Sequence, residues 1–365
     1  MRYSRALDGL RGIAILVVCL YHWKVPGFVG GYFGVDIFFV LSGYLITSIL
    51  LHEYRENGDI CFKNFYIRRF LRLFPALLFL LVIYAGMAVF SQHPSRHYIS
   101  IGIVLFYLSN WSLALGIHDP GELGHTWSLS VEEQFYLLWP MTMFAIVRRF
   151  GPKALFACTL LLASASTLER TVLYASGFGG ARVYYALDTR LDSILFGCLI
   201  GILLHFRNDL AVPGKVSRLL PLLSITGLIC LIGTCNENYP WRYWYGFLLT
   251  AMFSAMLLWA IVTPGAERTK ALLSHPVLVW LGKRSYGLYL WHDFINMILH
   301  TESHGYARTV FAALLALVVT ETSYQIIERP AIALKDRFVI NKPTTPLASL
   351  RAPLTEMSYG RTETT

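Results

Sequence analysis

An arginine and a histidine stand eleven residues apart in the otherwise apolar stretch LDGLRGIAILVVCLYH, residues 7–22. On a helix that spacing is three turns plus about 20°, so Arg11 and His22 share a face and lie about 16 Å apart along the axis. A guanidinium can hold an anion, and an imidazole can take and return a proton near neutral pH. Ionisable groups inside an apolar span face the protein interior or an aqueous cavity and mark functional positions. The plain alternative is that Arg11 anchors the helix at an interface beside Asp8, and that His22 is an interfacial histidine next to Trp23. Asp36 opens the following apolar run. It could hold the His22 imidazole in one tautomer, or simply favour the dipole of its own helix.

Three further stretches carry chemistry-bearing residues. In NFYIRRFLRLFPA, Arg68, Arg69 and Arg72 precede an apolar run. Arg69 and Arg72 are i, i+3 neighbours whose planar forks can converge on a phosphate, such as those of coenzyme A. Topology anchoring is the bland account. In GHTWSLSVEEQFYLLWP, the residues His125, Trp127, Glu132, Glu133 and Gln134 run straight into an apolar helix. Acidic residues in the first turns would favour the helix dipole, which does not explain why an imidazole and an indole crowd beside them. YYALDTRLDSILFG alternates Asp188, Arg190 and Asp192, most simply a local ion-paired network, and SYGLYLWH places Tyr289 and His292 inside a span.

These residues need a membrane-spanning frame. The chain has 365 residues, of which 55% are hydrophobic and 15% charged, and its mean hydropathy is +0.52. A soluble domain averages about 25% charged residues, so the composition points to an all-α polytopic membrane protein. Ten apolar segments are expected, near 9–24, 34–52, 71–90, 128–147, 154–174, 188–205, 219–235, 243–262, 282–300 and 307–327. An eleventh, 98–116, is interrupted by the polar YLSNWSLALG. If 98–116 does not cross, Arg68, Arg69, Arg72, Arg148, Arg149, Lys153, Arg207, Lys215, Arg218, Arg268, Lys270, Lys283 and Arg284 all fall on the N-terminal side of the membrane. So do Arg329, Lys335, Arg337 and Lys342. The rule that basic loops stay cytoplasmic then gives ten spans with both termini inside. Residues 91–127 become an external, re-entrant loop, allowed at membrane depth only where protein or water surrounds it. Residues 1–335 form the membrane domain, and the Pro/Thr/Ser-rich 336–365 reads as a disordered cytoplasmic tail.

The net charge of +9 sits in these short loop clusters, which argues for membrane topology rather than a nucleic-acid partner. The six cysteines show no metal or redox spacing and lie mostly in apolar segments, where Cys behaves as a small hydrophobe. No cleavage site of the small-x-small kind follows the first apolar run.

Seven stretches in order, LDGLRGIAILVVCLYH, FFVLSGYLI, RRFLRLFPA, TWSLSVEEQFYLLWP, DTRLDSILFG, SYGLYLWH and IERP, resemble the membrane acyltransferase family 3 from about residue 5 to 335. That resemblance implies a bacterial inner-membrane enzyme that moves acetyl or other short acyl groups onto sugar hydroxyls. Its acceptors would include lipopolysaccharide, exopolysaccharide, nodulation oligosaccharides and antibiotic sugars. It maps an Arg-x10-His motif onto Arg11 and His22, an Arg-x-x-Arg motif onto Arg69 and Arg72, and a Trp-Ser-Leu-x-x-Glu motif onto Glu132. Many members append an extracytoplasmic hydrolase-like domain, for which 365 residues leave no room. The expected roles follow. Arg68, Arg69 and Arg72 hold acetyl-CoA, and Arg11 orients the thioester or its oxyanion. His22 is base or acyl carrier, with Asp36 or Glu132 orienting it. Trp127, His125, Arg190 and His292 meet the carbohydrate acceptor, and no metal is called for. A transporter or flippase, whose pore would also be lined by polar residues, remains the alternative from another class.

Overall fold

The computed structural model describes residues 3–206, 216–301 and 305–334. The expected tail, 336–365, and Arg207, Lys215, Lys335, Arg337 and Lys342 lie outside the described residues, as does the side chain of Arg218. Among the described residues every regular element is helical: α1 Arg5–His22, α2 Gly34–Asn57, α3 Phe62–Ala88, α4 Pro94–Leu105, α5 Ser109–Ala114, α6 Trp127–Ala175, α7 Gly180–Tyr185 and α8 Leu191–Phe206. They continue as α9 Val216–Thr234, α10 Phe247–Val262, α11 Glu267–Leu273, α12 Pro276–Lys283, α13 Ser285–Ile298, α14 Tyr306–Ser323 and α15 Arg329–Leu334.

All ten expected apolar segments overlap helices. Among the described residues, five stretches are long and apolar enough to cross a membrane, and two shorter ones, Leu191–Phe206 and Leu219–Thr234, are apolar as well. The chain is a multi-pass membrane protein. Two expected spans are one helix only in name: α6 turns at Gly151, whose φ of 80° and ψ of −179° break it before Pro152. Glycine takes that φ without steric cost. The doubtful segment 98–116 is not a continuous helix. It divides into α4 and α5 around Tyr107, which has φ 54°, and a 3-10 turn at Gly121–Thr126 follows. The expected ninth span also breaks, at Arg284 between α12 and α13.

Burial separates the centre from the rim. In α2 the apolar window is 72% buried by the protein itself, against 22% in the stretch that contains α14. Phe70, Leu78 and Val82 of α3, Leu137, Leu138 and Met141 of α6, and Phe311, Leu314 and Val318 of α14 point outward and exposed. Contiguous apolar surface of this kind needs a covering phase, and lipid supplies it. At the centre, α2 and α8 cross at contact distance. A Cβ on Gly43 would stand 1.9 Å from the Ile194 carbonyl oxygen, and one on Gly197 1.9 Å from that of Val40. Small residues let membrane helices approach this closely.

Candidate active site

Two chambers open beside α1, one toward each end. The first, about 60 Å³, is lined by Arg11, Arg69, Arg72 and Glu132 with Ser42, Ser128, Tyr136, Ser285, Tyr286 and Tyr289. Arg11 donates from Nη2 to Ser285 Oγ at 3.1 Å. Glu132 accepts from Ser42 Oγ at 2.6 Å, and Arg69 lies over the Tyr136 ring at 5.0 Å. The helical spacing of Arg69 and Arg72 on α3 therefore does bring both guanidiniums to one cavity, together with that of Arg11.

The second chamber, about 520 Å³, is lined by His22, His125, Trp127, Asp293, Asp119, Glu237, Arg242 and a wall of tyrosines. A π-turn at Arg242–Gly246 carries Arg242 to its edge. Val35 and Tyr289 line both chambers and so form the partition between them. The Tyr289 hydroxyl donates to the His125 carbonyl oxygen at 2.7 Å. Its one proton is thereby used, so at 2.6 Å it accepts from Ser128 Oγ.

The hydrogen bonds around His22 fix its tautomer. His292 Nδ1 lies 2.9 Å from the carbonyl oxygens of Leu288 and Tyr289. Carbonyls only accept, so Nδ1 carries the proton and Nε2 presents a lone pair. His22 Nδ1 sits 2.9 Å from that lone pair and must donate to it. The unprotonated nitrogen of His22 is therefore Nε2. Asp293 Oδ1 stands 3.9 Å from His22 Nδ1, and Asn296 Nδ2 donates to the His22 carbonyl oxygen at 3.3 Å, which ties the end of α1 to α13. His125 Nε2 donates to the Leu290 carbonyl oxygen at 3.1 Å, and its Nδ1 faces Asp293 Oδ2 at 3.7 Å.

Several expected partnerships are replaced. Asp36, completely buried, accepts from Arg190 Nη2 at 2.9 and 3.0 Å and from Ser193 Oγ at 2.8 Å. It does not serve His22. Glu132 joins the arginines instead, and since α6 begins at Trp127 it lies beyond the first turn, so the helix dipole does not account for it. The carboxylate beside His22 is Asp293. It was missed although it directly follows His292 in an apolar span, the signal that singled out the other residues. Arg190 is 1% exposed and lies over the Phe247 ring at 3.8 Å. It backs the chamber wall from behind Trp127 and does not line either chamber. Arg68 turns to Glu53 at 3.6 Å, away from Arg69 and Arg72. Asp188, Arg190 and Asp192 do not pair with one another: their partners are Arg182, Asp36 and Arg170.

Comparison with known proteins identifies the family of the chain. Residues 4–321 match the family model described as "Acyltransferase domain". A peptidoglycan O-acetyltransferase, OatA, of Listeria monocytogenes is 35% identical over 352 residues, covering 90% of this chain and 56% of the relative. A putative O-acetyltransferase of Staphylococcus aureus strain MSSA476 is 35% identical over 350 residues, covering 90% and 57%. A putative peptidoglycan O-acetyltransferase of Bacillus subtilis, YrhL, is 35% identical over 351 residues, covering 90% and 55%. The chain thus spans a little over half the length of these curated relatives. No solved structure matches it. The chain belongs to the acyltransferase family whose model it matches along most of its length.

Proposed function

We propose that this protein is a membrane O-acetyltransferase that moves an acetyl or other short acyl group from coenzyme A, held in the first chamber, to a sugar hydroxyl in the second. The observation that carries this reading is the His22 tautomer: a lone pair on Nε2 at the wall of a cavity whose volume suits a sugar-sized ligand. As the sugar oxygen attacks the thioester carbonyl carbon, His22 Nε2 takes the hydroxyl proton. The C–S bond breaks, the ester C–O bond forms, and the imidazolium returns its proton to the departing thiolate, which leaves as free thiol. His292 accepts from the imidazolium at Nδ1, and the Asp293 carboxylate stabilises its charge, the part expected of Asp36 or Glu132.

Arg11 stands about 16 Å from His22 along α1 and cannot meet the same carbonyl. With Arg69 and Arg72 it serves the donor's phosphates rather than the oxyanion. A chamber of about 60 Å³ has room for a water or two, so the arginines must part to admit the coenzyme, and Val35 and Tyr289 must yield to its thioester arm. The basic loops support a first chamber on the cytoplasmic side of a bacterial inner membrane. The relatives' names favour peptidoglycan as acceptor over lipopolysaccharide, exopolysaccharide or an antibiotic sugar.

The test uses the purified chain in lipid nanodiscs with labelled acetyl-CoA and soluble peptidoglycan fragments. Free thiol and an acetylated glycan should appear together, and His22→Ala should abolish both while inserting normally. Acyl transfer that persists in His22→Ala would refute the catalytic role. A chain that releases no thiol with any glycan would instead favour the transporter.

A further inference from the structure

Four side chains converge where α1 meets α13. His22 Nδ1 and His292 Nε2 are 2.9 Å apart, and His22 Nδ1 lies 3.9 Å from Asp293 Oδ1. The ligand atoms of these three residues all fall within 4.8 Å of one another. Donors about 2.0–2.1 Å from a tetrahedral zinc-type ion stand about 3.3 Å from each other, inside the spread of these three; His125, on the far side of Asp293, must move inward to join them as a fourth. His125 adds a second, independent feature. It is 6% exposed, its Nδ1 has no hydrogen-bond partner, and that nitrogen faces the other Asp293 oxygen at 3.7 Å.

The outer nitrogens fit as well. Metal-bound histidines characteristically donate their second N–H to a backbone carbonyl or carboxylate, which fixes the tautomer and strengthens the ligand. His292 does so to Leu288 and Tyr289, and His125 to Leu290. His292 is thus locked with a bare nitrogen on the inner side, and the His125 tautomer that donates to Leu290 presents its bare Nδ1 there. The second chamber, which His22, His125 and Asp293 line, provides the route in.

We propose that His22, His125, His292 and Asp293 form a site for a divalent transition-metal ion of the zinc class, and that its occupancy switches the enzyme off. Nitrogen and carboxylate ligands in this number suit zinc or cobalt and not magnesium or calcium. Binding requires one rearrangement. The His22 proton moves from Nδ1 to Nε2, Nδ1 ligates the ion, and no net proton is released. Nε2 then has no lone pair, so the ion and the base are mutually exclusive states of one ring. The inhibitory half of the proposal rests on the assignment of His22 as base; the binding half does not.

The experiment titrates Co²⁺, then Zn²⁺, into the full chain in nanodiscs after chelator treatment, and measures thiol release in parallel. The expected result is one Co²⁺ per chain with the visible absorption of a tetrahedral site, displaced by Zn²⁺. His292→Asn and His125→Gln should each weaken binding about 10- to 100-fold, and acyl transfer should fall in proportion to occupancy and recover with EDTA. Absence of stoichiometric binding, or binding unchanged in both variants, would overturn the site. Stoichiometric Zn²⁺ that is lost in the variants yet leaves transfer intact would uphold the site and overturn His22 as the base.

Discussion

Two arginine clusters lie within the same helical bundle, built from similar parts in opposite surroundings. Around α8, Arg170 and Arg190 face Asp192 and Asp36, two positive charges against two negative, and all four residues are within 1% of full burial. Arg170 spends its donors on Asp192 at 2.7 and 2.8 Å, on Thr189 O at 2.7 Å and on Tyr243 O at 3.1 Å. Around the first chamber, Arg11, Arg69 and Arg72 face Glu132 alone among the lining charges, an excess of two positive charges along the wall, with the Glu133 and Glu328 carboxylates set behind it. The neutral pairs tie helices together in a knot, with Arg190 Nε and Nη1 left without a hydrogen-bond partner and the guanidinium set against the Phe247 ring. The cluster with surplus positive charge along a chamber wall is the one that, on the proposed function, takes an anion from outside. Residue type does not distinguish them; partner count and access do.

The comparison breaks most visibly at the knot. Asp36→Leu strands a buried guanidinium and should cost about 3–5 kcal/mol, whereas Asp36→Leu with Arg190→Met replaces both charges by apolar groups and should recover much of that. Folded yield and thermal melting of the purified protein in detergent check both. A double variant no better folded than the single one would show that the pair does more than hold the helices. Arg72→Ala should insert normally and raise KM for acetyl-CoA by roughly 10- to 100-fold, the worth of about 1.5–3 kcal/mol for a hydrogen bond to a charged group. Arg72→Lys, which keeps the charge and loses the fork, should fall between that variant and wild type. The smallest effect on KM belongs to Arg68→Ala. Its partner Glu53 is outside the chamber, so KM should stay within about twofold, while the buried Glu53 carboxylate loses its nearest cation, at a cost of about 1–3 kcal/mol of stability.

Much of this was legible before any coordinates. Hydropathy located the helices because a bilayer admits few alternatives to an apolar helix. The helical period put Arg11 and His22 on one face, and the contacts agree: Arg11 reaches Ser285 and His22 reaches His292, both on α13. The same period could not choose among Arg68, Arg69 and Arg72. Arg72 lies between the other two around the helix, and only the position of Glu53 on α2 draws Arg68 away. Asp36 faces Arg190 rather than His22 for a related reason. Its nearest charge is set by the α2–α8 crossing at Gly43 and Gly197, a tertiary contact that leaves no periodic trace. The breaks at Tyr107 and Arg284 separate helices that apolar run length alone would merge or extend, whereas the one at Gly151 falls between two segments that hydropathy already separates.

The account stands on a lone pair at Nε2 of His22, and ¹⁵N NMR of selectively histidine-labelled, metal-free protein in nanodiscs reads it directly. At a pH where the ring is neutral, His22 should show a protonated Nδ1 and a bare Nε2, and His292→Asn should loosen that preference. A His22 found with its proton on Nε2 in the wild-type chain would contradict the mechanism at its first step.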